Sequence, residues 1–145
     1  MPAYSDELII KKLAKHPDVK FQVFSKHTKE NYSVDNIEVF KVNNEKFNHS
    51  LAHSIGLITG GGFEGPAEAM FLGKKVLCVP MFHQYEQQCN ALAAEKMGAT
   101  VIWKEDEFDE KLSIWIDEAM PIKVNFPDET ERIIENLVKN YAEKI

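Results

Sequence analysis

Hydrophobic positions along the chain follow two periods, and the two take turns. Leu8, Ile9, Leu13 and Ala14 recur at helical spacing behind Ser5, a residue type that caps helices. His16, Pro17 and Asp18 end that segment. Residues 19–24 and 37–40 alternate apolar with polar, as strands do. A short helix is expected over residues 47–53, then a strand at 55–59 that runs into glycines. Pro66 is expected to open a helix carrying Ala67, Glu68, Met70 and Phe71, closed by Gly73. Residues 76–79 form an unbroken apolar run, the mark of a strand buried on both faces, and Pro80 breaks it. The next helix runs from Tyr85 to Met97, with Cys89, Leu92, Ala93 and Met97 as its expected buried face and Gly98 as its stop. Residues 100–102 give a short strand, and Phe108, Leu112, Trp115, Ile116 and Ala119 trace a helix face. Asp128 with Glu131 reads as a capping box for a last helix through Ile133, Ile134, Leu137, Val138 and Tyr141.

Strands alternating with helices predict βαβ units, and so an α/β fold: a three-layer, Rossmann-like domain whose parallel sheet is covered on both sides. The 145 residues fit one domain, 1–145, without repeat or linker. Composition adds exclusions. Lys and Arg total 17 against 23 Asp and Glu, a formal charge of −6. That balance argues against a nucleic-acid binder, whose phosphate contacts need clustered cations. No apolar stretch is long enough to span a bilayer, and the opening residues are no signal peptide. Cys78 and Cys89 have neither metal nor redox spacing and read as two buried free thiols, in keeping with a cytoplasmic location.

In open α/β sheets ligands sit beyond the carboxyl ends of the strands. That rule selects residues 60–65 and 80–84. In the first loop Gly60, Gly61, Gly62 and Gly65 let backbone N–H groups approach a ligand, and the following helix start adds free donors and partial positive charge. Phosphate binding outweighs a bare turn, because four glycines exceed what a turn needs. Gly60, Gly62 and Gly65 also fit the dinucleotide fingerprint, but the next strand ends in Val79-Pro80-Met81 with no acid for a ribose, so NAD binding is disfavoured. Glu68 lies inside the helix that follows; it suits the two hydroxyls of a ribose, and equally suits compensation of the helix dipole. Glu86, Gln87 and Gln88 crowd another helix start and offer donors and acceptors to sugar hydroxyls, or form an ordinary polar turn. His49 and His53 are four apart with no third ligand, so no metal is expected, and no cofactor. Trp103 and Trp115 read as packing, and the acidic cluster at 105–110 as a solvated helix entry.

One stretch, residues 55–98, carries a more specific pattern: Thr59-Gly60-Gly61-Gly62-Phe63-Glu64-Gly65-Pro66 and Glu68, then Gly73-Lys74-Lys75-Val76-Leu77 ending at Pro80, then Glu86-Gln87-Gln88 with Asn90-Ala91. In that order these motifs resemble the C-terminal, donor-binding domain of GT-B glycosyltransferases. They are most similar to the family-28-like branch, which includes the N-acetylglucosaminyltransferase of peptidoglycan synthesis. The resemblance covers about a third of the chain. It implies a nucleotide-sugar site, with a UDP-sugar as donor. Gly61 and Gly62 would lie against the diphosphate, Glu68 would hold the ribose, and Glu86, Gln87 and Gln88 would contact the sugar. Residues 41–43 would lie near the base. Gly60, Phe63 and His83 complete the candidate donor-binding set. Relatives often carry His or Arg where Gly60 stands, so a cation on the phosphates must come from elsewhere or be absent.

The resemblance further implies that this domain is the C-terminal half of a longer protein. Members have a strand ahead of the helix that begins here near Ser5, and an acceptor-binding domain ahead of that. The full-length enzyme would transfer a hexosyl group to a glycan or lipid-linked acceptor, membrane-peripheral in the lipid case, with its catalytic base on the other half. The isolated domain is then expected to transfer no sugar. Two alternatives stand beside this reading: half of a nucleotide-sugar 2-epimerase, and a non-catalytic donor-binding subunit that needs a partner chain.

Overall fold

The computed structural model describes residues 4–142. Helix α1 (Asp6–Leu13) leads to β1 (Phe21–Ser25), β2 (Tyr32–Val34) and β3 (Ile37–Lys41). Helix α2 (Asn44–His53), β4 (Gly56–Thr59), α3 (Glu64–Phe71), β5 (Lys75–Cys78), α4 (Tyr85–Lys96) and β6 (Thr100–Val101) follow. Helices α5 (Phe108–Asp117) and α6 (Thr130–Tyr141) complete the described chain. The strands hydrogen-bond into two three-stranded sheets, ordered β1-β3-β2 and β4-β5-β6. The second sheet is parallel throughout. In the first, β1 and β3 are parallel and β2 is antiparallel to β3.

Helices cover the strands on two sides, as the unbroken run at residues 76–79 requires. Along β5, Leu77 packs with Ile9 and Leu13 of α1 and with Phe108, Leu112 and Trp115 of α5. Its neighbours Val76 and Cys78 turn the other way, onto Leu51 of α2, Met70 of α3 and Ala91 and Ala94 of α4. The chain is therefore a three-layer α/β domain. Burying each large aliphatic or aromatic side chain contributes about 1.5–3 kcal/mol, which makes these two clusters the main source of stability. An ion pair between Lys15, just past the end of α1, and Asp109 of α5 lies at the surface. The hydrogen bond from Lys15 holds the Asp109 carboxyl below its usual range, so this contribution is lost as the pH falls through that lowered value.

Local signals explain most element boundaries. Ser5 accepts from the Leu8 N–H at the start of α1, and Asn43 does the same for Lys46 in α2. Gly73 and Gly98 take positive φ, 68° and 104°, at the ends of α3 and α4, a conformation that favours glycine. Helix α3 starts at Glu64, two residues before the expected opening at Pro66, which sits within its first turn.

Several expectations are corrected. Cys89, Leu92, Ala93 and Met97 are exposed; α4 buries Ala91 and Ala94 instead and turns Gln87 and Asn90 toward the sheet. Polar side chains with loop partners hold that face, so a hydropathy reading selects the wrong one. The capping box does not form: the Asp128 side chain accepts from Thr130, and Glu129 at the helix start makes no cap bond. The apolar residues of α6 all remain exposed. Strand β2 escaped the sequence reading because all three of its residues are exposed and its pattern is too short. The signal was the two-residue connection Asp35-Asn36, with Asp35 at φ 49°. The Asn36 side chain fixes that turn by donating to the carbonyls of His16 and Val19.

The thiol assignment is corrected in part: Cys78 is buried and Cys89 exposed. Burial pushes the Cys78 thiol up to about 11, leaving little thiolate at neutral pH. Treating the native chain with iodoacetamide at neutral pH is expected to add one label, on Cys89, by intact mass. The second label should appear only in denaturant, and labelling of both at similar native rates would contradict the burial.

Candidate functional site

Strands β4 and β5 end side by side, joined by the Val79 N–H donating to the Thr59 carbonyl at 2.8 Å. Their two following loops carry the candidate residues. One side chain binds these loops together. The Oε1 atom of Gln87 accepts from the Gly61 N–H at 3.2 Å and from the Met81 N–H at 3.0 Å. Its amide donates to Gln84 Oε1 at 2.6 Å. Asn90, three residues on along α4, donates to the Gly61 carbonyl at 3.2 Å. The Gln88 amide donates to the Phe82 carbonyl at 2.9 Å.

Gly61 owes its identity to this junction. A Cβ there would lie 2.7 Å from Gln87 Cβ and closer still to the Gln87 carbonyl oxygen. Gly62 differs: it is exposed, and nothing lies within 4 Å of where its Cβ would stand. Of the candidate glycines, Gly61 packs against α4 and Gly62 faces open space.

Both helices that start here lack a side-chain cap. Phe63 precedes α3 and Gln84 precedes α4, and neither makes a cap hydrogen bond. Helix α3 makes its first internal bond from Ala67 to Phe63, and α4 from Gln88 to Gln84. The N–H groups ahead of those bonds, at Glu64 and Gly65 and at Tyr85, Glu86 and Gln87, are left to an external acceptor. Two helix starts thus bring orphan donors and partial positive charge to adjacent loops, an arrangement that suits an anion. Glu64 and Glu86 stand exposed in the same first turns. The only Lys or Arg residues between positions 59 and 95 are Lys74 and Lys75. Both are engaged elsewhere: Lys74 donates to the carbonyls of Ala52 and Ser54, and Lys75 to that of Ile116. Backbone donors, rather than cations of this segment, are what these loops offer a phosphate.

The remaining candidates lie around this junction. Gly60 is half-buried at the end of β4. Phe63 is 71% exposed. Glu68 is exposed on α3, and its side chain makes no hydrogen bond or ion pair among the described residues. His83 is exposed, its ring edge-on to Phe82 at 5.0 Å. Glu86 is exposed, whereas Gln87 and Gln88 are half-buried and already bonded to the loops. Residues 41–43 border a depression that Lys29, Lys46 and His49 also line. His49 and His53 stack at 4.3 Å, and among the described residues no group of three or more potential metal-binding side chains forms. Asn90 and Gln84 join the junction without having been candidates. The spacing of Gln84, Gln87 and Asn90, three residues apart along one helix, was the available signal.

Comparison with known proteins agrees with this picture at the level of family. A family model described as glycosyl transferase family 1 matches residues 2–117, which include both loops and every candidate residue. No curated protein and no solved structure matches the chain.

Proposed function

The chain belongs to glycosyl transferase family 1, and from that premise we propose that it is the donor-binding half of a GT-B glycosyltransferase, taking a UDP-hexose. The single observation that carries this reading is the pair of uncapped helix starts at the ends of β4 and β5, held together by Gln87. A diphosphate resting there meets the N–H groups of both helices. The exposed Gly62 leaves its backbone open to the same oxygens. Glu68, without a protein partner among the described residues, is free to accept both ribose hydroxyls. Glu86 remains available to the sugar, while Gln87 and Gln88 act mainly by shaping the loops.

In the reaction, an acceptor oxygen bonds to the anomeric carbon as the bond from that carbon to the diphosphate breaks. The acceptor proton passes to a base on another domain, and the helix starts stabilise charge on the departing diphosphate. The family-28-like branch, the hexosyl specificity and the two-domain whole belong to the same proposal.

Glu68→Gln tests the ribose role. Hydrogen bonds to a charged group are each worth about 1.5–3 kcal/mol, so UDP-sugar affinity by isothermal titration should fall about tenfold or more. Stability should change by about 1 kcal/mol at most, because Glu68 is exposed on its helix. Equal affinities, with stability alone affected, would leave Glu68 as a dipole-compensating residue and remove it from the site.

A further inference from the structure

A side-chain amide has one accepting end and one donating end, and the junction fixes which end of each glutamine lies where. The backbone N–H groups of Gly61 and Met81 converge on one atom of Gln87. Only the amide oxygen can accept both, so its two lone pairs are used and Nε2 occupies the other branch. That Nε2 meets Gln84 at 2.6 Å and must donate, so the Gln84 atom it meets is Oε1. The Gln84 Nε2 group is thereby turned away from Gln87. It has no acceptor among the described residues, and Gln84 is exposed.

Gln84 flanks the start of α4, and Glu86 stands exposed in the first turn. A carboxylate accepts and does not donate, whereas a sugar hydroxyl does both. Neighbouring hydroxyls are therefore matched by one carboxylate together with one N–H donor. Lys74 and Lys75 do not supply that donor, being engaged elsewhere. Gln87 is half-buried, and the amides of Gln88 and Asn90 donate to the carbonyls of Phe82 and Gly61. The Tyr85 hydroxyl lies beside Cys89, and among the described residues no hydrogen bond orients the His83 ring. Gln84 is the exposed donor whose direction the fold already sets, so binding costs it little rotamer freedom.

We propose that Gln84 reads the transferred sugar: its Nε2–H donates to a hydroxyl of the UDP-hexose, with Glu86 as the accepting partner and Gln87 holding the amide in place. The inference rests on the donor-site reading and adds to it a residue that selects the sugar rather than the nucleotide.

Gln84→Met keeps the length of the side chain and removes its donors. Isothermal titration of the 145-residue chain with UDP, UDP-glucose, UDP-galactose and UDP-N-acetylglucosamine gives the ratio of UDP-sugar to UDP affinity for the tightest sugar. Gln84→Met should lower that ratio about fivefold, while UDP affinity and the melting temperature stay as in the parent. Gln84→Glu keeps an oxygen for Gln87 but cannot donate to a hydroxyl. It should lower the ratio likewise, whatever its added charge does to binding of the diphosphate. Among the matching UDP-deoxysugars, one should bind the parent and Gln84→Met alike, because the hydroxyl that Gln84 contacts is gone. An unchanged ratio would overturn the proposal and leave the donor site standing. Equal losses for UDP and UDP-sugar would also overturn it, by making Gln84 a support of the loops. A parent that binds neither UDP nor any of the three sugars would overturn the donor-site reading, and this proposal with it.

Discussion

Replacing Gly61 with alanine is expected to lower the melting temperature by several degrees and to separate the two loops. The added methyl meets the backbone and Cβ of Gln87 at the start of α4, where nothing flexible can give way. Overpacking of this kind costs about 1–3 kcal/mol. Relief requires α4 to move off the loop, which breaks the bonds from Gln87 and Asn90 to Gly61. UDP-sugar affinity should then fall with stability. Gly62→Ala supplies the contrast. Its methyl points into open space, and its φ is not among the positive ones, so stability should stay within about 0.5 kcal/mol. If the diphosphate lies against Gly62, that variant loses affinity while melting as the parent does. Thermal melts and isothermal titration of both variants separate the outcomes. A stable Gly61→Ala would refute the packing of α4 on the glycine loop.

The second large effect is in the core. Phe108 is 1% exposed, and its ring lies 6.0 Å from that of Tyr4 and 4.6 Å from the Lys12 ammonium. Truncation to alanine removes that packing and leaves a cavity between α1 and α5. Such changes cost about 3–5 kcal/mol, a large share of the 5–15 kcal/mol that holds a typical domain together. Phe126→Ala, at a site 73% exposed, should cost no more than about 0.5 kcal/mol. Urea denaturation should show a much lower midpoint for the first and an unchanged one for the second. Equal midpoints would mean that Phe108 does not lie in the core.

Sequence patterns gave the fold where one residue type answered to one constraint. Gly73 and Gly98 end helices because the chain takes positive φ there, and the run at residues 76–79 is apolar because both faces of β5 are covered. They were incomplete where a polar side chain also serves the interior. Gln87 reads as a sugar ligand at a helix start, yet it ties Gly61 to Met81, and α4 turns this face inward. Gly61 reads as a phosphate glycine, yet the approach of α4 already requires it. The break between β1 and β4 was invisible because periodicity reports the faces of a strand and says nothing of its edges. The exposed stripe of α6 shows the same limit: an amphipathic pattern tells that a face is apolar, not what covers it.

On the proposed function, a nucleotide sugar sits where the two helix starts meet. A titration of the isotopically labelled chain with a UDP-hexose, followed by amide chemical shifts in NMR, tests it most directly. Saturable shifts confined to residues 60–68 and 80–88, largest at Gly62, Glu64, Gly65, Tyr85 and Glu86, are expected. Shifts concentrated on α6, with these amides unmoved at saturation, would contradict it.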